Sequence, residues 1–188
     1  MYFPALSDQA LVGTGKSTFS QIIRKRYEGV MAVVAPTGVA ALNAGGVTIH
    51  SFFSFPPRII NPDDIKKVVD SRLYKALKIL VVDEVSMVRA DVMDAMDQFL
   101  RLNGRCPDSP FGGIQLVLVG DLAQLPPVVS TEEASVLFSR RSNSPFFFSA
   151  EALAGSVLAP VELSRVFRQS VSHFIDLLSR RRLGEALH

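Results

Sequence analysis

The run Gly13-Thr14-Gly15-Lys16-Ser17-Thr18 joins a glycine-rich turn to a helix-forming stretch. Glycines in such a turn let backbone N–H groups crowd around phosphates, and the following helix adds the positive end of its dipole. Lys16 would neutralise the terminal phosphates, and Ser17 would offer its hydroxyl to a bound Mg²⁺. Because a hexamer of this kind also arises by chance in surface loops, the nucleotide site that it predicts needs support from the rest of the chain.

The segment before this run departs from the usual phosphate-loop pattern. The pattern G-x-x-x-x-G-K-[ST] has a glycine where Ala10 stands, and it follows an apolar strand. Only Ala10-Leu11-Val12 is available, whereas buried strands usually have about 4–8 apolar residues. Leu6-Ser7-Asp8-Gln9 is typical either of a helix start capped by Ser7 or of a loose terminus. We therefore expect the strand before the loop to be shortened or missing.

Two further groups of polar residues directly follow apolar runs. Asp83 and Glu84 follow Ile79–Val82, and Gln124 comes shortly after Ile114–Val119. An acid at such a strand end can hold Mg²⁺, directly or through water, and its neighbour can polarise an attacking water. An amide there can sense the terminal phosphate or orient the water. The alternatives are two solvated acids in a turn, and a plain turn glutamine before Pro126-Pro127.

The elements that would position these residues alternate between strand and helix patterns. The apolar runs at 30–35, 79–82 and 114–119 predict buried strands, and 157–163 predicts a last strand broken by Pro160. Helical spacing occurs over 17–27, over 92–100 and over 172–183, the last of which carries basic residues near its end. A further helix is predicted to begin at Asn61-Pro62, with an apolar stripe of Ile65, Val68, Val69, Leu73 and Leu77. This order predicts an α/β fold with a parallel central sheet flanked by helices, and ligands at the carboxyl ends of its strands.

Composition supports one folded domain and limits the compartments and partners. Of the 188 residues, 48% are hydrophobic and 20% are charged, which argues against disorder. No apolar run approaches the ~20 residues needed to cross a bilayer, and there is no signal-peptide pattern, so we expect a cytoplasmic protein without a membrane partner. The single cysteine, Cys106, excludes an internal disulfide. A net charge of +2 is too small to indicate nucleic acid binding, so any such partner would need a local groove.

The ordered motifs carry a resemblance to a known family. They are GTGKST at 13–18, APTGVAA at 35–41, GGVTIHSF at 45–52, VVDEVSMV at 81–88, PFGGIQLVLVGDLAQLPPV at 110–128 and ELSRVFRQ at 162–169. With these motifs the chain resembles superfamily one helicases of the Pif and RecD-like branch, in wording closer to bacterial than to eukaryotic members. The resemblance implies a three-layer RecA-like P-loop NTPase domain that uses ATP and Mg²⁺.

The resemblance also implies roles for individual residues around ATP. Lys16 would bind the β and γ phosphates, and Ser17 with Asp83 would hold Mg²⁺. Glu84 would act as the catalytic base, and Gln124 would sense the γ-phosphate. Outside this group, Gln9 is similar to the family's adenine-reading glutamine, and Arg168 is similar to its arginine that reaches the γ-phosphate from the same domain.

DNA contacts are implied in two segments of the chain. The resemblance places a single DNA strand against backbone, hydroxyl and aromatic groups of Pro36, Thr37, Gly38, Thr48, His50, Ser51 and Phe52. Taken alone, His50 and Phe52 are equally typical of ordinary packing.

The resemblance implies a motor that is larger than this chain. Residues 1–170 would form the ATP-binding motor domain, and 171–188 would begin the connection to a second motor domain. The expected partners are single-stranded DNA, duplex or structured DNA, and that second domain, and the expected function is 5′ to 3′ DNA translocation driven by ATP hydrolysis. Without the second domain the chain should not unwind DNA.

Two other functions compete with this interpretation. One is a catalytically degenerate or truncated module that binds nucleotide or DNA weakly without turnover, which is consistent with Gln9 lying so close to Gly13. The other is a GTPase or small-molecule kinase, but the sequence has no Asn-Lys-x-Asp guanine-reading motif and no obvious lid.

Overall fold

A six-stranded sheet organises the chain. The computed structural model describes residues 2–7, 26–129 and 144–161. The strands lie in the order β3-β2-β4-β5-β1-β6, and every pairing between them is parallel. Their bounds are β1 Tyr2–Ser7, β2 Met31–Ala35, β3 Val47–Thr48, β4 Ile79–Val82, β5 Gln115–Gly120 and β6 Val157–Pro160. The predicted parallel α/β sheet is therefore confirmed.

Helices connect the strands and cover both faces of the sheet. They are α1 Gly38–Ala44, α2 Ile49–Phe53, α3 Arg72–Ala76 and α4 Ala90–Asn103, with short 3₁₀ turns at 62–64, 85–87, 110–113, 147–149 and 151–153. One face packs against α4 and an aromatic cluster of Phe53, Phe55, Tyr74 and Phe99. On the other face Ala44 of α1 packs against Val33, Ile79, Val81, Val117 and Val119. Alternate residues of each central strand are thus buried on opposite sides, which gives the predicted three layers.

Helix α4 ties three loops to the core through a row of carboxylates. Asp91, Asp94 and Asp97 recur at every third position. Each accepts a hydrogen bond from a backbone N–H of a different loop, and the donors are Ile60, Ala152 and Phe111 respectively. Because the loops are fixed to one rigid helix, the segments that flank β4 and β5 hold a defined position.

The position of the first strand corrects a prediction. The sequence predicts a shortened or missing strand before the phosphate loop, yet Tyr2–Ser7 forms a six-residue strand between β5 and β6. Ala5 pairs with Leu118 and Ser7 with Gly120. Leu6 and Ser7 therefore belong to a strand, so the alternatives of a helix start at Ser7 or a loose terminus are both wrong. Residues 8–12 lie outside the described part of the chain.

The predicted helix beginning at Asn61-Pro62 is also wrong as a single element. Only a 3₁₀ turn at Pro62–Asp64 and the short helix α3 form in this region. The buried side chain of Asn103 accepts from Val68 N at 2.8 Å and donates to Lys66 O at 3.1 Å. These bonds engage backbone groups that a helix would pair internally. Val69, which the predicted stripe would bury, is fully exposed.

The remaining predicted elements match the structure where it describes them. The strands at 30–35, 79–82 and 114–119 and the helix over 92–100 are confirmed with small shifts at their ends. Strand β6 ends at Pro160, the residue predicted to break it. Residues 17–25 and 162–188 lie outside the described ranges, so the predicted helix at 172–183 and the boundary at 170 stay predictions. Among the described helices, none has the length and apolar character needed to cross a membrane.

Candidate functional site

A sharp turn follows β4 and presents the two acids. All four residues of β4 are buried, and Asp83 N continues the sheet pattern by donating to Val34 O at 2.8 Å. Glu84 then adopts the left-handed conformation with φ 49° and ψ 45°, and its N–H donates to Asp83 Oδ1 at 3.0 Å. A non-glycine residue in this conformation costs about 1–2 kcal/mol, and such strained residues are concentrated at functional sites. The turn therefore places Glu84 at the carboxyl edge of the sheet.

A second turn follows β5 and orients Gln124. Asp121 is fully buried, and its carboxylate accepts from Ala123 N at 3.0 Å and from Gln124 Nε2 at 2.9 Å. Since a carboxylate only accepts hydrogen bonds, the nitrogen of the Gln124 amide must face Asp121. The buried acid thus fixes which way the exposed amide points.

Gly120 brings these two turns into contact. A Cβ at position 120 would lie 2.9 Å from Val85 Cγ1 and 3.0 Å from Val85 N. Real side chains do not approach so closely, so only glycine lets the end of β5 lie against the turn that follows Glu84. This close approach sets the spacing between the acid turn and the glutamine turn.

Glu84 and Gln124 line one cleft of about 230 Å³ at the carboxyl edge of the sheet. The cleft is also lined by Thr37, Val39, Ala40, Asn43, Ser86, Met87 and Leu125. Strand β1 ends beside it, because Ser7 pairs with Gly120. Two of the predicted catalytic residues are therefore brought together from different strands.

Asp83 is a chemically suitable ligand for Mg²⁺. The half-buried carboxylate stands at the end of β4, next to the cleft residue Glu84. Within the part of the chain that the structure describes, no group of three or more His, Cys, Asp or Glu is arranged to hold a metal ion. Mg²⁺ in nucleotide sites commonly takes one or two protein oxygen ligands plus phosphates, so a single carboxylate at this position fits such an ion.

A second cleft of about 180 Å³ adjoins the first. Pro36, Thr37 and His50 line it with Arg89 and others, and Thr37 belongs to both clefts. Burial lowers the pKa of His50, and the nearby Arg89 lowers it further, against a smaller opposing effect of Asp91. His50 therefore favours the neutral imidazole more than a free histidine does, and in that form it can contribute hydrogen bonds to this cleft.

The other predicted DNA-contacting residues are placed differently. Gly38 is exposed at the start of α1, and Ser51 is exposed in α2. The Thr48 hydroxyl caps α2 by accepting from Ser51 N at 3.1 Å. The half-buried ring of Phe52 packs edge-on against Phe53 and Tyr74, and the alternative of ordinary packing therefore describes its position in the structure.

Three residues at these clefts have no role in the sequence predictions. Asp121 holds Gln124, Ser86 lines the first cleft, and Arg89 lines the second. Arg89 is ion-paired to Asp91 at 2.8 Å and is largely buried, so its charge is locally balanced. The position of Asp121 directly after an apolar run is a local signal in the sequence that could have indicated its importance.

Several predicted site residues lie outside the described part of the chain. They are Gln9, Gly13, Thr14, Gly15, Lys16, Ser17, Thr18 and Arg168. Their roles stay predictions.

Comparison with known proteins gives consistent matches over nearly the whole chain. A family model described as PIF1-like helicase matches residues 9–186. The ATP-dependent DNA helicase PIF1 of Saccharomyces cerevisiae (strain YJM789) is 40% identical over 185 residues, which cover 92% of this chain and 20% of that protein. The chain spans roughly a quarter of the length of the curated relatives that it matches.

Two solved structures share the fold and the sequence pattern. Bacteroides Pif1 bound to ssDNA has a TM-score of 0.86 and 36% identity, covering 98% of this chain and 43% of that one. Bacteroides Pif1 in complex with ADP-AlF3 and ssDNA has the same TM-score and coverage, with 35% identity. These identities to bacterial and yeast proteins are similar and do not separate the two groups. With its central parallel sheet, paired acids and glutamine at one edge, the chain belongs to the PIF1-like helicase family.

Proposed function

We propose that this chain is the ATP-binding first motor domain of an ATP-dependent 5′ to 3′ DNA helicase. The observation that carries the proposal is the shared cleft of Glu84 and Gln124, which come from two neighbouring strands and meet at the carboxyl edge of the sheet. Nucleotides bind at this edge in open parallel sheets. Strand β1, which leads toward Gly13–Thr18, ends beside the same cleft.

Within this cleft the residues divide the work of phosphoryl transfer. Lys16 binds the β and γ phosphates, and Glu84 takes a proton from the attacking water. Gln124, held by Asp121, contacts the γ-phosphate or the water through its amide. Mg²⁺, held by Asp83 and Ser17, would neutralise charge on the phosphates when bound.

Single-stranded DNA is the proposed ligand of the second cleft. Thr37 lines both clefts, so a movement of Thr37 in one cleft also changes the wall of the other. Two of the matched structures are of Bacteroides Pif1 with ssDNA, and a third concerns DNA unwinding at forked dsDNA by two coordinating Pif1 helicases. Duplex DNA and a second motor domain of the same protein are accordingly proposed partners of the complete helicase. The cytoplasmic location stays a prediction.

DNA-stimulated ATP hydrolysis tests this function. ATP turnover would be measured in this chain joined to its second motor domain, without polymer, with a single-stranded oligonucleotide, and with heparin at equal charge. We expect the oligonucleotide to raise the rate severalfold and heparin to leave it nearly unchanged. Hydrolysis that is indifferent to single-stranded DNA would contradict the helicase assignment.

A further inference from the structure

The hydroxyl of Ser86 is buried and has no hydrogen-bond partner. Ser86 is 2% exposed, and within the described residues its Oγ is the one buried side-chain polar atom without a partner. Most buried hydroxyls in proteins are hydrogen-bonded, because an unsatisfied one destabilises the fold. An alanine would fill the same space without that cost, so the fold itself gives no reason for the hydroxyl.

The location of Ser86 indicates what the hydroxyl can bind. Ser86 lines the same cleft as Glu84 and Gln124. It lies two residues after Glu84, in the 3₁₀ turn that the left-handed conformation of Glu84 initiates. The Oγ itself has almost no exposed surface, so a molecule in the cleft can bond to it once the Ser86 side chain turns toward the cleft.

The backbone around Ser86 is fixed, which leaves only the hydroxyl free to rotate. Met87 N donates to Glu84 O at 3.1 Å, and Val88 N donates to Val85 O at 3.0 Å, so the turn is closed on both sides. A Cβ on Gly120 would lie 3.2 Å from Ser86 N, which shows how tightly the end of β5 packs behind the turn. The Cα and Cβ of Ser86 are thus held in place before any ligand binds, and rotation about χ1 directs the oxygen.

We propose that Ser86 Oγ accepts a hydrogen bond from the water that attacks the γ-phosphate, an inference that rests on the proposed function. One hydrogen of this water is hydrogen-bonded to the Glu84 carboxylate and is transferred to it. The other hydrogen is hydrogen-bonded to Ser86 Oγ. A lone pair of the water then forms the new bond to phosphorus, the bond from phosphorus to the bridging oxygen breaks, and ADP leaves with that electron pair. With both hydrogens engaged, the lone pair is directed at the phosphate. Ser86 is then a catalytic residue.

The test compares the wild type with Ser86→Ala and Ser71→Ala, each as this chain joined to its second motor domain. Ser71 is a suitable control because its side chain makes no capping hydrogen bond to α3 and it does not line the cleft. Three quantities are measured with Mg²⁺: single-turnover ATP hydrolysis, affinity for a non-hydrolysable ATP analogue, and affinity for ADP with aluminium fluoride. Thermal unfolding of each variant is recorded alongside.

We expect Ser86→Ala to hydrolyse ATP about tenfold more slowly, the loss typical of one hydrogen bond. Affinity for ADP with aluminium fluoride should fall by a similar factor, whereas affinity for the ATP analogue should stay within twofold. The melting temperature should be unchanged or higher, because an unpaired polar atom is removed, and Ser71→Ala should behave as wild type.

The contrary outcomes are distinct from one another. Normal hydrolysis in Ser86→Ala, with active wild type, would overturn this inference and leave the proposed function standing. A clearly lower affinity of Ser86→Ala for the ATP analogue would also overturn it, because the hydroxyl would then contact ground-state phosphate rather than the water. A wild-type chain that neither binds ATP nor hydrolyses it would overturn the proposed function and this inference together.

Discussion

The side-chain amide of Gln124 donates a hydrogen bond of 2.9 Å to the buried carboxylate of Asp121. This bond fixes an exposed cleft residue to a fully buried acid at the end of β5. In Asp121→Asn an amide nitrogen can replace the accepting oxygen, so two donors would face each other and Gln124 would lose its orientation. We expect ATP hydrolysis to fall about tenfold, with nucleotide affinity within threefold of wild type.

A double-mutant cycle checks whether Asp121 acts through Gln124. Gln124→Ala should lower hydrolysis by at least as much as Asp121→Asn, and the double variant should be no slower than Gln124→Ala within about threefold. Asp108→Asn, at an exposed loop position, serves as the control. Fully additive losses in the double variant would show that Asp121 and Gln124 act independently.

Glu84→Gln tests the assignment of the catalytic base. The amide keeps the size of the side chain and removes its ability to take a proton, so ATP binding should persist while hydrolysis slows at least about 100-fold. Glu28→Gln provides a matched control, since Glu28 is exposed and does not line the cleft. Equal hydrolysis in wild type and Glu84→Gln, measured as single-turnover rates, would mean that another group is the base.

Gly120→Ala tests the contact between the two turns. The added methyl would lie 2.9–3.0 Å from atoms of Val85, so one of the turns must shift. We expect a loss of about 1–3 kcal/mol in the free energy of unfolding, together with reduced hydrolysis. Gly38→Ala is the control for stability, because a Cβ there has no neighbour within 4 Å. Equal urea midpoints for the two variants would contradict the close approach.

Asp94 should make stability depend on pH. Burial raises the pKa of Asp94 to about 6, the backbone N–H of Ala152 opposes this shift, and Glu151, Asp97 and Asp91 raise the pKa further. Since the folded-state pKa exceeds the unfolded value of about 3.9, the native state binds the proton more tightly. The resulting stabilisation is complete below about pH 4 and is lost as the pH rises through about 6.

Asp94→Asn removes this titration while keeping an oxygen for Ala152 N. At pH 7.5 we expect the variant to be more stable by about 1 kcal/mol, a value reduced for solvent screening of a half-buried group. The difference should vanish near pH 4 in urea unfolding measurements. Asp97→Asn should instead be destabilising, because Asp97 accepts from Arg101 at 2.7 Å and from Phe111 N. A less stable Asp94→Asn at pH 7.5 would refute the account.

The central strands could be predicted from sequence because their signal is local. Continuous apolar runs at 79–82 and 114–119 have no alternative to burial on both faces of a sheet, and the polar residues after them then fall at one edge. That reasoning was sufficient to bring Glu84 and Gln124 together. The family was indicated separately, by the resemblance of the ordered motifs, and the family model that matches residues 9–186 confirms it.

The elements that sequence reasoning missed depend on distant contacts. Strand β1 contains Pro4, which lacks a backbone donor and usually argues against an inner strand, yet Tyr2–Ser7 pairs with both neighbours. The segment after Pro62 has helical spacing, but Asn103, more than 30 residues away, engages its backbone. Asp121 was missed because its importance lies in the hydrogen bond that it accepts from Gln124. Ser86 was missed because its importance lies in a buried hydroxyl without a hydrogen-bond partner.

Nucleotide titration tests the central claim most directly. A fluorescent ATP analogue with Mg²⁺ would be titrated into the wild-type chain, Lys16→Ala and the control Lys67→Ala, whose lysine is exposed and does not line the cleft. If the phosphates are held at the edge of the sheet where Glu84 and Gln124 meet, wild type and Lys67→Ala should bind equally and Lys16→Ala should bind at least about tenfold more weakly. Equal binding by all three proteins, or binding by none, would contradict the account.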